Sequence, residues 1–493
     1  MKRVSRLCIV FGVCMLFVSA FVVSGCSEDS PTTPKPDPTD TTTISKGMRN
    51  VVFAHGAMEA ADVFTHLTQL MVRNGYEEAQ MHAFDFQEYL TADGVDVETM
   101  ATQLNARINA VLGANIDQRV DIVAHGAGVM AVQHYLARMN GTNKVAHVVY
   151  AGGEYDFSLT VNGDITPAPC VYMTLRSDGN DALQLGNSEY GSLAGAQNEQ
   201  LAGLDNIQLV SKAEAFSKIF NFFTGQTPSV MKLNITRPGV TYEITGRVIN
   251  FFDNTPVAGA SVLPYKIRRL SGGDIQRQVG TSPVTTDQDG FFSISDVVPP
   301  DSYIEFLVRT PTGSHFDMHV YRQGWRENSR TERLRVVPRS GGSSLLTQFS
   351  AALRTGSHAI AIVHSQNHAL YHNRDDIQLN RFNSAFEPIG DIRVLNSANA
   401  PAPGSGVPGM NTFMLCMLDY DQDRQDGTGP ISAPILNRFG LNSFDVFLDA
   451  RETNYQTDVI LNGVNLAMFN YRSSGASGSN NSGICIVQFE YVP

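Results

Sequence analysis

Val120-Asp121-Ile122-Val123-Ala124-His125-Gly126-Ala127-Gly128-Val129-Met130-Ala131-Val132-Gln133-His134-Tyr135-Leu136 reads as a strand, a tight turn and a helix. The apolar run 120–124 suits a strand buried on both faces. Small residues at 126–128 let the chain reverse sharply, and 129–139 follows in helical spacing. The same alternation extends in both directions. Strand-like runs occupy 51–54, 81–84, 145–151 and 170–176, and helical stretches occupy 60–73, 97–112 and 213–223. Strands that alternate with helices predict an α/β domain over 48–228 with a mostly parallel sheet.

Beyond Thr227-Pro228 the pattern changes to short β runs between turns, such as 242–249, 260–262, 291–294 and 303–308. Asp287-Gln288-Asp289-Gly290 is a turn, with glycine at its end. Residues 340–344, Ser-Gly-Gly-Ser-Ser, read as a linker, and 396–411 is a loop rich in Ala, Pro and Gly. The expectation is two all-β domains of β-sandwich type, 229–340 and 341–493. A chain of 493 residues is long enough for such a division. With 42% apolar and 17% charged residues it has globular composition. The net charge of -12 argues against nucleic acid as a partner, since phosphate binding needs clustered Lys and Arg.

At the N-terminus, Lys2, Arg3 and Arg6 precede an apolar run over 7–23, which ends in Val23-Ser24-Gly25-Cys26. This resembles a bacterial lipoprotein signal, 1–25, and the resemblance implies cleavage before Cys26 and acylation of that cysteine. Residues 26–47 are rich in Pro, Thr and Asp and read as an extended, disordered tether. The protein is therefore expected in a bacterial cell envelope, held to the outer membrane or cell surface by its lipid. Ser27 resembles an outer-membrane sorting signal.

The stretch Ala124-His125-Gly126-Ala127-Gly128 resembles the nucleophile elbow of α/β-hydrolases of the bacterial lipase/esterase type, where the motif is G-x-S-x-G. Upstream, Val52-Phe53-Ala54-His55-Gly56 resembles the turn that supplies an oxyanion N–H. The resemblance implies oxyanion-hole donors at Ala57 and Ala127. Downstream, Leu204-Asp205-Asn206-Ile207-Gln208-Leu209-Val210 resembles the stretch that carries the family's catalytic histidine.

Two reacting groups are replaced. Gly126 stands where the family has serine, and Asn206 stands where it has histidine. Acyl transfer by a hydroxyl needs a base within reach, and asparagine has no nitrogen basic enough to take the proton. No histidine occurs from 148 to 314 to replace it. Asp178, after the strand at 170–176, is either a vestigial acid or a turn residue, while Glu154 and Asp156 lie near a second acid position used by some relatives.

In the first β domain, Thr245-Gly246-Arg247-Val248, Pro256-Val257-Ala258-Gly259-Ala260 and Thr286-Asp287-Gln288-Asp289-Gly290-Phe291 recur in an order similar to a carboxypeptidase-regulatory-like β-sandwich. Asp419, Asp421, Asp423 and Asp426 precede Gly427 and read either as a solvated acidic turn or as ligands for Ca²⁺; no other cofactor is expected. Cys416 and Cys485 either pair or stay as buried thiols. His358, His364, His368 and His372 read as surface or core histidines rather than metal ligands, and Ser365 lacks the glycines of an elbow. The functional expectation is an inactive hydrolase domain that binds an apolar, acyl or glycan ligand. The alternatives are an active esterase with a non-standard site and a structural or adhesive surface protein.

Overall fold

The computed structural model describes residues 48–57, 59–91, 94–113, 118–177, 192–233, 242–251, 253–271, 273, 275–279, 282–297, 303–311, 314–339, 358–370, 375–382, 388–395, 415–418, 428–431, 443–449, 456–469 and 484–490. The chain divides after Met231 into two compact units.

Unit 1 begins with β1 (Val51–Ala54), followed by α1 (Thr65–Arg73), β2 (Met81–Ala83) and a short hairpin of β3 (Leu90–Thr91) and β4 (Gly94–Val95). Then come α2 (Val97–Leu112), β5 (Val120–His125), α3 (Gly128–Arg138), β6 (Val145–Ala151), β7 (Val171–Arg176), β8 (Gln197–Gln200) and α4 (Ala213–Thr224). Six of these strands form one sheet in the order β2-β1-β5-β6-β7-β8, and every pairing is parallel. This is the α/β-hydrolase type of sheet that the sequence predicts.

The local causes are readable. All residues of β1 and β5 are buried, as expected for strands covered on both faces. α2 starts where the Asp96 carboxylate accepts from Thr99 N (2.9 Å), a cap that contributes about 1 kcal/mol. α4 buries Ala215, Phe216, Ile219 and Phe220 along one stripe. Each phenylalanine so buried stabilises by roughly 2–3 kcal/mol. β8, Gln-Asn-Glu-Gln, has no apolar alternation; it joins the sheet edge through its main chain, and for that reason the sequence reading omits it.

The sheet order reverses at β1, whose neighbours are β2 on one side and β5 on the other. The turns that leave β1 and β5 at their carboxyl ends pack against each other, with a Cβ built on Gly126 reaching Gly56 Cα at 3.2 Å. His55-Gly56 and Gly126-Ala127 lie at those ends.

Unit 2 is all β. Its first part comprises β9 (Tyr242–Asn250), β10 (Ser261–Arg269), β11 (Ile275–Val279), β12 (Val284–Thr285), β13 (Phe291–Val297), β14 (Tyr303–Arg309), β15 (Met318–Gln323) and β16 (Ser329–Val336). The second part comprises β17 (His358–Ser365), β18 (Ile377–Phe382), β19 (Pro388–Leu395), β20 (Leu415–Leu418), β21 (Thr428–Ile431), β22 (Ser443–Asp449), β23 (Gln456–Leu461), β24 (Val464–Phe469) and β25 (Ile484–Phe489).

The small sheet β13-β9-β16 faces a larger one across a core that includes Ile244, Val248, Phe292, Phe306, Val320 and Trp325. The sequence places a boundary at 340/341, but in the structure the large sheet runs across it. β25 pairs in parallel with β15 on one edge and with β17 on the other. A central strand needs partners for both rows of its main-chain groups, and here they come from both sides of residue 340. Such non-local pairing leaves no local mark in the sequence.

Candidate functional site

The elbow has the expected backbone. Gly126 has φ +52, in the left-handed region, and its N–H donates to Ala151 O (3.2 Å). A Cβ built there would meet only Gly56 Cα, at 3.2 Å. A side chain at 126 would thus be strained but housed, as a nucleophile on an elbow is. Gly128 has no such room: its Cβ would lie 2.3 Å from Ala54 O, so glycine is what lets α3 start hard against β1. Gly126, Ala127 and Ala57 are half-buried, and the turn therefore reaches solvent.

Asn206 is brought to the same corner. Asp205 and Gln208 cap each other reciprocally: Gln208 N donates to Asp205 Oδ1, and Asp205 N donates to Gln208 Oε1, both at 2.9 Å. The turn this fixes aims Asn206 at the ends of β5 and β6. The Asn206 Nδ2 amide donates to Gly152 O (2.7 Å), and Asn206 O accepts from His125 Nε2 (3.1 Å).

The imidazoles here are fully engaged. His125 faces two acceptors, Glu59 Oε2 at 2.9 Å through Nδ1 and Asn206 O through Nε2. With Glu59 ionised, both nitrogens carry hydrogen and the ring is an imidazolium. Burial alone would lower its pKa, but the Glu59 carboxylate holds it above the ordinary value. Burial likewise pushes Glu59 up, and the His125 cation more than reverses this, so the carboxyl sits below its ordinary range. Glu59 Oε2 also accepts from Gly56 N (2.7 Å). His55 donates through Nδ1 to Gly56 O (2.8 Å) and accepts from Phe86 N at Nε2 (2.9 Å). Burial pushes its pKa down, consistent with a neutral ring, although nearby Asp85 acts in the other direction.

Glu59 is the residue that sequence reasoning misses. Its signal is modest: a carboxylate three residues after a glycine, in position to accept that glycine's N–H. Of the acid candidates, Asp178 lies outside the described residues. Asp156 Oδ1 accepts from Ser158 N (2.9 Å) and Ser158 Oγ (2.6 Å), a turn-forming role, and Glu154 has its pKa raised by burial.

Cys26 with its signal and tether, and the aspartates at 419, 421, 423 and 426, also fall outside the described residues, as do the 340–344 linker, the 396–411 loop and His372. Among the described residues no group of His, Cys, Asp and Glu could hold a metal ion. Cys485 is buried, with Sγ 3.7 Å from Phe469 O; the Cys416 side chain is outside the described set.

In unit 2 the structure assembles a cluster that the sequence does not announce. Ser365 Oγ lies 2.8 Å from His368 Nδ1, and His368 Nε2 lies 3.1 Å from Asp375 Oδ1. Asn462 Nδ2 donates to the same Asp375 oxygen (2.8 Å). Asn367 Oδ1 also lies 3.1 Å from Ser365 Oγ and 2.9 Å from His368 Nδ1. Ser365 is 0% exposed, His368 4% and Asp375 2%, so no substrate reaches the hydroxyl.

Residues 49–151 match the family Lipase (class 2). Among solved structures, the chain is similar to a CIB-like hydrolase from Thermoplasma acidophilum, with 16% identity, 37% of this chain and 90% of that one covered, and a TM-score of 0.29. It is similar to a mature lipase of Bacillus licheniformis at 15% identity, covering 38% and 96%, TM-score 0.29. It is similar to a carboxylesterase of Bacillus subtilis at 11% identity, covering 37% and 86%, TM-score 0.27. At such TM-scores these likenesses carry no argument, and the assignment rests on the family match, the parallel sheet and the elbow. Unit 1 is a lipase/esterase-like α/β-hydrolase domain.

Proposed function

We propose that this protein is a lipid-anchored surface lipoprotein whose hydrolase-like domain binds an acyl or other apolar ligand without hydrolysing it. The observation that carries the reading is the commitment of all the ring nitrogens of His55 and His125 beside an elbow with no side chain. With Asn206 donating its amide to Gly152 O, the described residues of that corner offer neither a nucleophile nor a base for one. The ligand class is supported by Phe157, 58% exposed in the loop that leaves β6 beside the elbow, with its ring 6.2 Å from that of Tyr155. An exposed ring in the loop that follows β6 offers an apolar chain a contact. In this reading Cys26 carries the anchor, and the carboxypeptidase-regulatory-like segment over 229–340 acts as a spacer.

The test pairs two measurements on the mature protein. Hydrolysis of a p-nitrophenyl acyl ester should stay at the buffer rate, and a medium-chain acyl alcohol should raise the unfolding temperature as binding to the folded state requires. Turnover above buffer would contradict inactivity. Stabilisation by a soluble glycan alone would replace the ligand class, and stabilisation by neither would favour an adhesive scaffold.

A further inference from the structure

The missing serine and histidine do not account for the whole corner. Glu59 Oε2 sits 2.7 Å from Gly56 N and 2.9 Å from His125 Nδ1. A Cβ built on Gly56 would meet Glu59 Oε2 at 2.8 Å and Gly126 Cα at 3.4 Å, so the carboxylate and the elbow flank one small space. In an acyl-transfer site this neighbourhood carries the growing negative charge of a tetrahedral intermediate and needs N–H donors facing it. Here the N–H of Gly56, next to the expected donor Ala57, already donates to an anion belonging to the protein.

We propose that Glu59 is an internal plug: its carboxylate fills the gap between the turn after β1 and the elbow, and it excludes acyl oxyanions from the corner independently of the Gly126 and Asn206 replacements. The inference rests on the inactive-site reading and deepens it, because it names the ligands that the corner refuses. Anionic acyl groups, such as fatty carboxylates and phosphonates, would need the N–H and the imidazolium that the Glu59 carboxylate already occupies. Neutral apolar ligands would not.

The experiment reinstates the missing groups. In the full mature chain, Gly126→Ser with Asn206→His supplies a hydroxyl and an imidazole, and Glu59 is then kept, changed to Gln or changed to Ala. The readout is the rate of covalent labelling of the reinstated serine by a fluorophosphonate, mapped by peptide mass. With Glu59 kept, labelling should be slow. Glu59→Ala should speed it by about tenfold or more, in line with the cost of a misplaced charge at an oxyanion site. Glu59→Gln, which keeps the shape and loses the charge, should fall between and serves if the alanine variant does not fold. Equal rates across folded variants, rates of zero included, would overturn the plug. Labelling of the unsubstituted chain is a separate outcome, and it would overturn the inactive-site reading instead.

Discussion

Two corners of the molecule divide between them what a serine hydrolase needs. At the end of β5, Gly126 keeps φ +52, stays half-buried and packs 3.2 Å from Gly56 Cα when given a Cβ, yet carries no hydroxyl. At the end of β17, Ser365, His368 and Asp375 stand in hydrogen-bond contact, yet the hydroxyl is fully enclosed and sits on a strand end with no turn to present it. The first corner has the frame without the groups, and the second has the groups without the frame. The difference teaches that a Ser–His–Asp contact by itself predicts no chemistry. Access and an elbow must come with it, and without them such a contact is a buried polar network that ties a loop to its sheet.

That contrast can be broken in several ways. The largest effect should come from Glu59→Ala, which strands the His125 imidazolium in a buried site. Removing one partner of such a pair costs about 3–5 kcal/mol, and denaturant unfolding of unit 1 should show it. A loss below about 1 kcal/mol would mean that the pair is not held as described.

Gly128→Ala should follow, at about 2–3 kcal/mol, because its Cβ would enter the contact with Ala54 O at 2.3 Å. A neutral result would show that α3 can move off β1 and that the elbow frame is looser than its geometry.

The pH dependence of unit 1 has two limbs. His125 is raised above 6.5, so its contribution is full below 6.5 and is lost as pH climbs through the raised folded value. Glu59 is lowered below 4.5, so its contribution is full above 4.5 and is lost as pH falls through the folded value. The pair should therefore stabilise most between these limits, and Glu59→Gln should abolish the alkaline loss. An alkaline limb that survives that substitution would assign it to another group.

The smallest effect belongs to Ser365→Ala. It should cost about 1 kcal/mol, the worth of one buried hydrogen bond, and change no reactivity. Any change in ester turnover would make the second corner a working site.

Much of unit 1 was legible because its signals are local. A buried strand, a glycine turn and a helical stripe sit within 120–139. The elbow follows from those pieces, and the approach of Asn206 to it is what the resemblance to lipases implies. Glu59 was not legible as a plug, because its meaning depends on His125, far along the chain, meeting it at 2.9 Å. The Ser365 cluster is hidden for a related reason: the sequence shows a serine without an elbow, and only the fold brings Asp375 to His368. The sheet that joins β15, β25 and β17 was hidden in the same way, since β pairing across such separations has no local pattern.

The most direct measurement is the intact mass of the unsubstituted mature chain after exhaustive treatment with a fluorophosphonate. The account predicts an unchanged mass, because the half-buried elbow has no hydroxyl and the Ser365 hydroxyl beside His368 is enclosed. A stoichiometric single adduct, whichever serine it maps to, would contradict it.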